Sequence, residues 1–176
     1  MKTETKYRKG LKELIEERPL NEINVVMLCD YVKSNRQTFY YHYRDISDVI
    51  ENIFLQERIT SGRKPTSFSM VTHNVINYIN SNYHFLSEVA KSFASEKLSE
   101  FLYSFYYKSL LSIYNKLDKN YSTIIRYIST ISVKMKLVEH TYNINYVLDL
   151  TEDNMLKITD EQYIKDIFKD MRTSLK

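Results

Sequence analysis

Residues 34–45, with the sequence SNRQTFYYHYRD, bring together side chains that can bind nucleic acids. An arginine makes two parallel hydrogen bonds to guanine, a glutamine makes two to adenine, and hydroxyl groups bind phosphate. The same segment holds four aromatic rings in twelve residues, and rings either fill a hydrophobic core or form an exposed surface. The helical phase of the segment decides which side chains are available for binding.

A helix that starts near Asn35 places Phe39 and Tyr43 on one face, because residues four apart lie one above the other. These two rings are expected to pack inward against Leu28 and Val32. The remaining surface then presents two side chains that can read bases and three that carry hydroxyl groups: Arg36, Gln37, Thr38, Tyr40 and Tyr41. The segment therefore supplies two rings to the core and its polar side chains to the surface.

Three further helices are predicted around this segment. The first runs from about residue 5 to 17 and ends before Pro19, since proline cannot continue the hydrogen-bond ladder. The second follows Asn24, a good N-cap, and the fourth covers about residues 46–58. The second and third helices are short and joined by a tight turn, which is typical of a helix-turn-helix. In that motif the second helix of the pair enters the major groove of DNA.

Two glycines and two prolines in 176 residues are too few for the turns of a β-rich protein, so the sequence predicts an all-α fold. Gly62 and Pro65 fall close together and predict a boundary between domains at residues 1–59 and 60–176. Apolar stripes and capping signals predict the helices of the second domain, at about residues 68–79, 85–93, 95–117, 121–145 and 160–172, the last opened by a capping box at Thr159.

The run TFYYHY, residues 38–43, resembles the helix-3 signature of the TetR family of bacterial regulators. The family has Thr, a hydrophobe, Tyr, any residue, His and an aromatic residue there, and an apolar pair where Leu28 and Cys29 stand. The resemblance covers residues 5–55, and the C-terminal half is loosely similar to the dihydroxyacetone-kinase-regulator subgroup. It implies an N-terminal helix-turn-helix domain and a C-terminal helical domain for dimerisation and ligand binding. The implied function is a repressor that binds a palindromic double-stranded DNA operator as a homodimer and is released by a small-molecule inducer.

By this resemblance, Thr38 and Tyr40 contact phosphates, with Tyr41 and His42 beside them. Arg36 and Gln37, at the start of the helix, lie nearest the base edges. Two roles are open for His42, a phosphate contact or a packing histidine bonded within the domain. The predicted interface is completed by residues at the two helix starts and on either side of the third helix: Asn24, Asn35, Lys33 and Arg44.

Three positions depart from the family pattern. Val26 stands where the family often has a basic or polar residue that reaches DNA, and Ile46 replaces a lysine that is common at the start of helix 4. Lys33 occupies a turn position that is usually glycine, and a non-glycine residue in a left-handed conformation costs about 1 kcal/mol. The turn is therefore either strained or differently shaped. Lys33 and Arg44 are hypothesised to replace the lost positive charge.

The net charge is only +3, so any binding to nucleic acid must come from local geometry and not from bulk charge. One positive cluster stands out at the N-terminus, and a solvated helix face and a phosphate-contacting arm are both open for it. Its members are Lys2, Lys6, Arg8, Lys9 and Lys12.

In family terms the second domain holds an inducer in a pocket between its helices, although an aromatic stripe at helical spacing is more often plain core. The predicted pocket residues are Tyr78, Phe85, Phe101, Phe105, Tyr106, Tyr127 and His140. The homodimer is expected to form through helices 121–145 and 160–172, whose apolar side chains exceed what an inner core needs. These side chains are Tyr121, Ile124, Ile128, Met135, Ile164, Ile167 and Phe168.

No catalytic residue, metal or cofactor is expected. The four histidines lack metal-ligand spacing, and two glycines cannot build a phosphate loop. The charged N-terminal segment and the absence of a long apolar run predict neither a secretory segment nor a membrane span, and Cys29 fits a reducing compartment. The expected location is the cytoplasm.

Two other classes compete with a DNA-binding regulator. A TetR-shaped adaptor, acting through a protein partner with weak or no DNA binding, is favoured by Val26, Lys33 and Ile46. A purely structural helical bundle would have no use for exposed Arg36, Tyr40 and Tyr41 side by side.

Overall fold

The computed structural model describes residues 3–59, 64–114, 119–134, 137, 143–155, 161–173 and 175. Within those ranges the chain is helical and contains no strand, so the predicted all-α class is confirmed. The helices are α1 (Thr3–Glu17), α2 (Val25–Tyr31), α3 (Arg36–His42), α4 (Ile46–Gln56), α5 (Phe68–Ser81), α6 (Tyr83–Ala90), α7 (Ser95–Tyr114), α8 (Lys119–Val133), α9 (Ile144–Met155) and α10 (Glu161–Thr173). None of the helices among the described residues has both the length and the apolar character to cross a membrane.

The chain forms two compact units. Unit 1 comprises Met1–Arg58 and Asn82–Leu98, and unit 2 comprises Ile59–Ser81 and Ser99–Lys176. The predicted division between residues 59 and 60 lies one residue from the unit boundary after Arg58. Unit 1, however, also includes α6 and the residues after it as far as Leu98. The reason is packing on α1 and α4, since the Phe85 ring lies 6.1 Å from the Phe54 ring and a ring nitrogen of His84 lies 3.1 Å from the Ile15 carbonyl oxygen.

In unit 1, α1 packs closely against the C-terminal end of α2. Gly10 makes this approach possible, because a Cβ atom built on it would lie 2.2 Å from Cγ1 of Val32. The buried face of α1 consists of Tyr7, Gly10, Leu11, Leu14 and Ile15. Leu28, Cys29 and Val32 of the α2 region are buried as well.

Side-chain caps begin three of the short helices of unit 1. The Asn24 side chain accepts a hydrogen bond from the Met27 backbone N–H at 3.1 Å, which confirms the predicted N-cap. At the start of α3 the Asn35 side chain accepts from the Thr38 backbone N–H, and at the start of α4 the Asp45 side chain accepts from the Asp48 backbone N–H. An N-cap satisfies one of the backbone donors that a helix start leaves without an intrahelical partner, and is worth about 1 kcal/mol.

Unit 2 differs from the prediction after α8. The long helix expected at about 121–145 is described as α8, which ends at Val133, and a separate α9 begins at Ile144. The capping box at Thr159 lies outside the described residues. The next helix runs over Glu161–Thr173, close to the predicted 160–172.

The apolar side chains that were expected to form a dimer contact are buried within unit 2 of a single chain. Ile124, Ile128, Ile164, Ile167 and Phe168 are each at most 3 % exposed. Tyr121 is partly exposed, and Met135 lies outside the described residues. The buried set is therefore not available for a dimer contact. α9, which was not predicted from the sequence, packs against both α8 and α10.

Candidate nucleic-acid interface

The two faces of α3 have the predicted phase. Phe39 is completely buried, and its ring meets the Tyr7 ring edge-on with a centroid distance of 5.3 Å. Tyr43, the C-cap of α3, is 5 % exposed and lies 5.6 Å from the Phe39 ring. Such an aromatic cluster fixes the rotation of α3 about its own axis, because turning the helix would expose two rings to water.

The opposite face of α3 is open to solvent. Arg36 and Gln37 are exposed, Tyr40 is 58 % exposed and Tyr41 is 85 % exposed. Thr38 is half-buried, and its hydroxyl donates to the Asn35 side-chain oxygen at 2.9 Å. The expected outward side chains are thus present at the surface, although the Thr38 hydroxyl is already engaged in the cap of its own helix.

Arg36 occupies the first helical position of α3. Within the part of the chain that the structure describes, its guanidinium has neither an ion pair nor a hydrogen bond. Its cap, Asn35, is a neutral amide and adds no opposing charge. The start of α3 therefore presents an arginine fork with all its donors available.

The turn between α2 and α3 contains the left-handed residue. Lys33 has a φ of 50°. Among the described residues other than glycine, it is the one with a positive φ. The turn therefore has the conformation that favours glycine, and a lysine occupies it. The turn is held by hydrogen bonds on both sides, since the Lys33 carbonyl accepts from the Lys6 ammonium at 3.3 Å and the Tyr7 hydroxyl donates to Ser34 at 2.7 Å.

The basic cluster of α1 is largely engaged within unit 1. Arg8 donates to Asn52 at 2.6 Å, Lys9 lies 3.6 Å from a Glu13 oxygen, and Lys12 pairs with Glu57. These side chains line an open groove of about 450 Å³ between α1 and α4. The engaged partners favour a solvated helix face over a phosphate-contacting arm. Lys2 lies outside the described residues.

Arg44, immediately after Tyr43, is held by Asp48. Its Nε lies 2.8 Å from Oδ2 of Asp48, its Nη2 lies 2.7 Å from Oδ1, and its backbone N–H donates to Oδ2 at 2.9 Å. The Arg44 side chain is 84 % exposed, so the pair lies at the surface. Hydrogen bonding from Arg44 lowers the pKa of Asp48, so this carboxylate is ionised at neutral pH. The Arg44 guanidinium, which was predicted to contact phosphate, is thus paired with a carboxylate of its own chain. This pairing was not predicted from the sequence.

The structure also shows the surroundings of Ile46, Val26 and His42, for which the sequence left the role open or departed from the family pattern. Ile46 is 5 % exposed and belongs to the core, which accounts for a hydrophobe at this helix start. Val26 is 46 % exposed and presents an apolar side chain to solvent. Nδ1 of His42 lies 3.6 Å from a Glu4 oxygen, and this contact within unit 1 favours the packing role for that histidine.

The predicted ligand-pocket residues do not share one unit. Phe85 belongs to unit 1, where the Lys12 ammonium lies 5.0 Å from its ring centre. In unit 2, the Tyr78 ring lies 5.6 Å from the Phe101 ring, and the Tyr106 hydroxyl lies 3.5 Å from the Thr72 hydroxyl. The remaining predicted members are Phe105, which is partly exposed, Tyr127, which is 38 % exposed, and His140, which lies outside the described residues.

These rings pack on one another as a core does. Tyr106 is almost completely buried, and the pairs that its ring forms with Phe68 and Phe105 have centroid distances of 6.3 and 6.4 Å. An inducer pocket therefore stays a prediction of the family resemblance. Among the described residues, no group of three or more histidine, cysteine, aspartate or glutamate side chains is placed to hold a metal ion.

No protein-family model matches this chain, and no curated protein sequence matches it. The resemblance to the TetR family therefore rests on the residues around α2 and α3, and membership of that family remains a proposal.

Proposed function

We propose that the protein is a DNA-binding transcriptional regulator whose α3 enters the major groove of an operator. The observation that carries the proposal is the exposed face of α3. On it, Arg36, Gln37, Tyr40 and Tyr41 stand in solvent while Phe39, between them, is completely buried. A helix that served only the core would not need exposed rings and an arginine fork on its outer face.

The proposed division of roles follows from side-chain chemistry. Arg36 and Gln37 lie in the first turn, and the N-terminal residues of a recognition helix are those that contact base edges. Arginine and glutamine pair bidentately with guanine and adenine, so they specify sequence. Tyrosine hydroxyls suit phosphate, so Tyr40 and Tyr41 position the helix on the backbone.

A palindromic operator requires two copies of the chain. We propose a homodimer, as the resemblance implies, but not through the buried apolar residues of α8 and α10. Light scattering at micromolar concentration is expected to give twice the 21.1 kDa mass of the chain. A single-chain mass in both the absence and the presence of operator would contradict the dimer and leave one α3 to act alone.

The proposal is tested by selecting genomic DNA fragments with the purified protein and sequencing those that are retained. An enriched motif is expected, and Arg36→Ala should weaken binding to it by about 1–3 kcal/mol and relax the preference at one position. Arg58→Ala is the matched control, because it removes an exposed arginine that follows α4 instead of opening α3. If Arg36→Ala, Thr38→Ala and Tyr40→Phe all leave binding unchanged, α3 is not a recognition helix.

A second candidate is an adaptor that acts through a protein partner. The observations that favour it are the exposed apolar side chain of Val26 and the large exposure of Tyr41, since tyrosine is common at protein interfaces. This candidate predicts no enriched DNA motif in the same selection. It predicts instead that Val26→Asp and Tyr41→Ala each abolish capture of a specific partner in a pull-down.

A further inference from the structure

The segment that follows α3 carries an excess of negative charge. Residues 44–51 contain one cation, Arg44, and three carboxylates, Asp45, Asp48 and Glu51, which is a net charge of −2. Lys97 of α7 adds one positive charge by pairing with Glu51. Both cations are occupied, because Asp48 binds Arg44 and Glu51 binds Lys97. This flank of α3 has no surplus positive charge to offer to DNA.

We infer that Asp48 withholds Arg44 from the DNA backbone, so that affinity depends on the base-reading start of α3. The inference rests on the proposed DNA-binding function and adds a residue that limits the affinity for DNA, and its salt dependence, without touching DNA. Asp48 acts through Arg44 and is therefore a positioning residue.

The geometry keeps the carboxylate in place. Oδ2 of Asp48 accepts both the Arg44 backbone N–H at 2.9 Å and its Nε at 2.8 Å. Asp48 also lies in the first turn of α4, where the positive end of the helix dipole favours a carboxylate. Three hydrogen bonds and the dipole thus fix Asp48 against the guanidinium.

The consequence for DNA binding is a matter of net charge. Each phosphate that a protein neutralises steepens the dependence of log K on log salt by about 0.9. A guanidinium that is paired with a carboxylate brings no net charge, and a phosphate that approached Arg44 would also approach Asp48. Because a phosphate contact carries no sequence information, the pairing lowers affinity for all DNA sequences by about the same factor.

The first test is Asp48→Asn. The amide oxygen keeps an acceptor for the Arg44 backbone N–H, while the charge is lost. Fluorescence anisotropy with the enriched operator and with a random duplex is expected to show a slope steeper by about 0.9, which is an extra loss of about 3.5-fold in affinity for a fourfold rise in salt. Affinity for the operator and for the random duplex should rise by about the same factor, because a phosphate contact does not distinguish sequences. Glu17→Gln, which removes an exposed carboxylate of α1, is the matched control and should change neither slope.

The second test separates charge release from altered folding. Arg44→Gln in the otherwise unaltered chain should leave the slope unchanged, whereas Arg44→Gln added to Asp48→Asn should remove the whole gain. If Arg44→Gln alone flattens the slope by about 0.9, or if Asp48→Asn leaves it unchanged on a bound operator, this inference is overturned and the proposed function stands. If neither the unaltered protein nor Asp48→Asn binds DNA, the proposed function is wrong, and so is the inference that rests on it.

Discussion

The two ends of α3 carry the same side chain in different states. Arg36, at the first helical position, is exposed and has no ion pair among the described residues. Arg44, just past the other end, is 84 % exposed on its side chain and yet held by two side-chain hydrogen bonds to Asp48. Exposure alone therefore does not show that a cation is available to a partner.

The helix caps account for this difference. α3 begins at a neutral cap, Asn35, which accepts from the Thr38 backbone N–H at 2.8 Å. α4 begins at an acidic cap, Asp45, and its third residue is a second acid, Asp48. Acids are favoured at helix starts because they satisfy backbone donors and complement the dipole. At the start of α4 this local requirement also places a carboxylate beside Arg44. At the start of α3 the cap is a neutral amide, which brings no carboxylate to Arg36.

The largest effect is expected from Phe39→Ala, which removes the support of both ends of α3. The ring is completely buried between Tyr7 and Tyr43, so its loss should lower the free energy of unfolding by about 3–5 kcal/mol. Urea denaturation followed by circular dichroism measures this change. Tyr41→Ala, at a ring that is 85 % exposed, should stay within about 0.5 kcal/mol. Equal losses in the two variants would contradict the assignment of the inner and outer faces.

The phase of α3 and the cap of α2 were predictable because they depend on residues within four positions of one another. Phe39 and Tyr43 share a face by helical period alone, and Asn24 precedes its helix directly. The Arg44 pairing is equally local in sequence. It was missed because a preference for phosphate was assigned to the arginine without counting the acids that the next helix start requires.

Features that depend on distant parts of the chain were not predictable in the same way. Val147 and Leu148 of α9 are buried, but the preceding helix was predicted to continue to about residue 145, and no separate helix was predicted here. α9 packs on both α8 and α10, the helices whose apolar residues were expected at a dimer contact. The place of Phe85 in unit 1 likewise depends on Phe54, which lies far away in sequence.

The role of the cap can be tested at the start of α3. Asn35→Ala removes the acceptor for Thr38 and should lower the free energy of unfolding by about 1 kcal/mol. Asn35→Asp keeps an acceptor, so its stability should stay within about 0.5 kcal/mol of the natural chain. It should also place a carboxylate beside Arg36, the proposed base-reading residue, and weaken binding to the operator by up to about 1–3 kcal/mol. Stability is read from urea denaturation and affinity from anisotropy. A stable Asn35→Asp variant with unchanged DNA binding would show that the charge of a cap does not control its neighbouring arginine.

The smallest expected effect concerns the turn that leads into α3. Lys33 adopts a φ of 50°, a conformation that costs an L-residue about 1–2 kcal/mol and glycine almost nothing. Glycine loses about 0.5–1 kcal/mol more conformational entropy on folding, so Lys33→Gly should raise the free energy of unfolding by only about 0.5–1 kcal/mol. Lys33→Ala is the matched control, because it removes the ammonium and keeps the backbone strain, and it should not be more stable than the natural chain. Urea denaturation of the three proteins separates the two contributions. If glycine and alanine give the same stability, the turn is not strained, and the lysine there needs no functional explanation. If only the Lys33→Gly variant is more stable than the natural chain, the lysine lowers the stability of the protein at the exposed start of α3. The loss of DNA affinity in Lys33→Ala would then measure what the Lys33 side chain contributes to DNA binding.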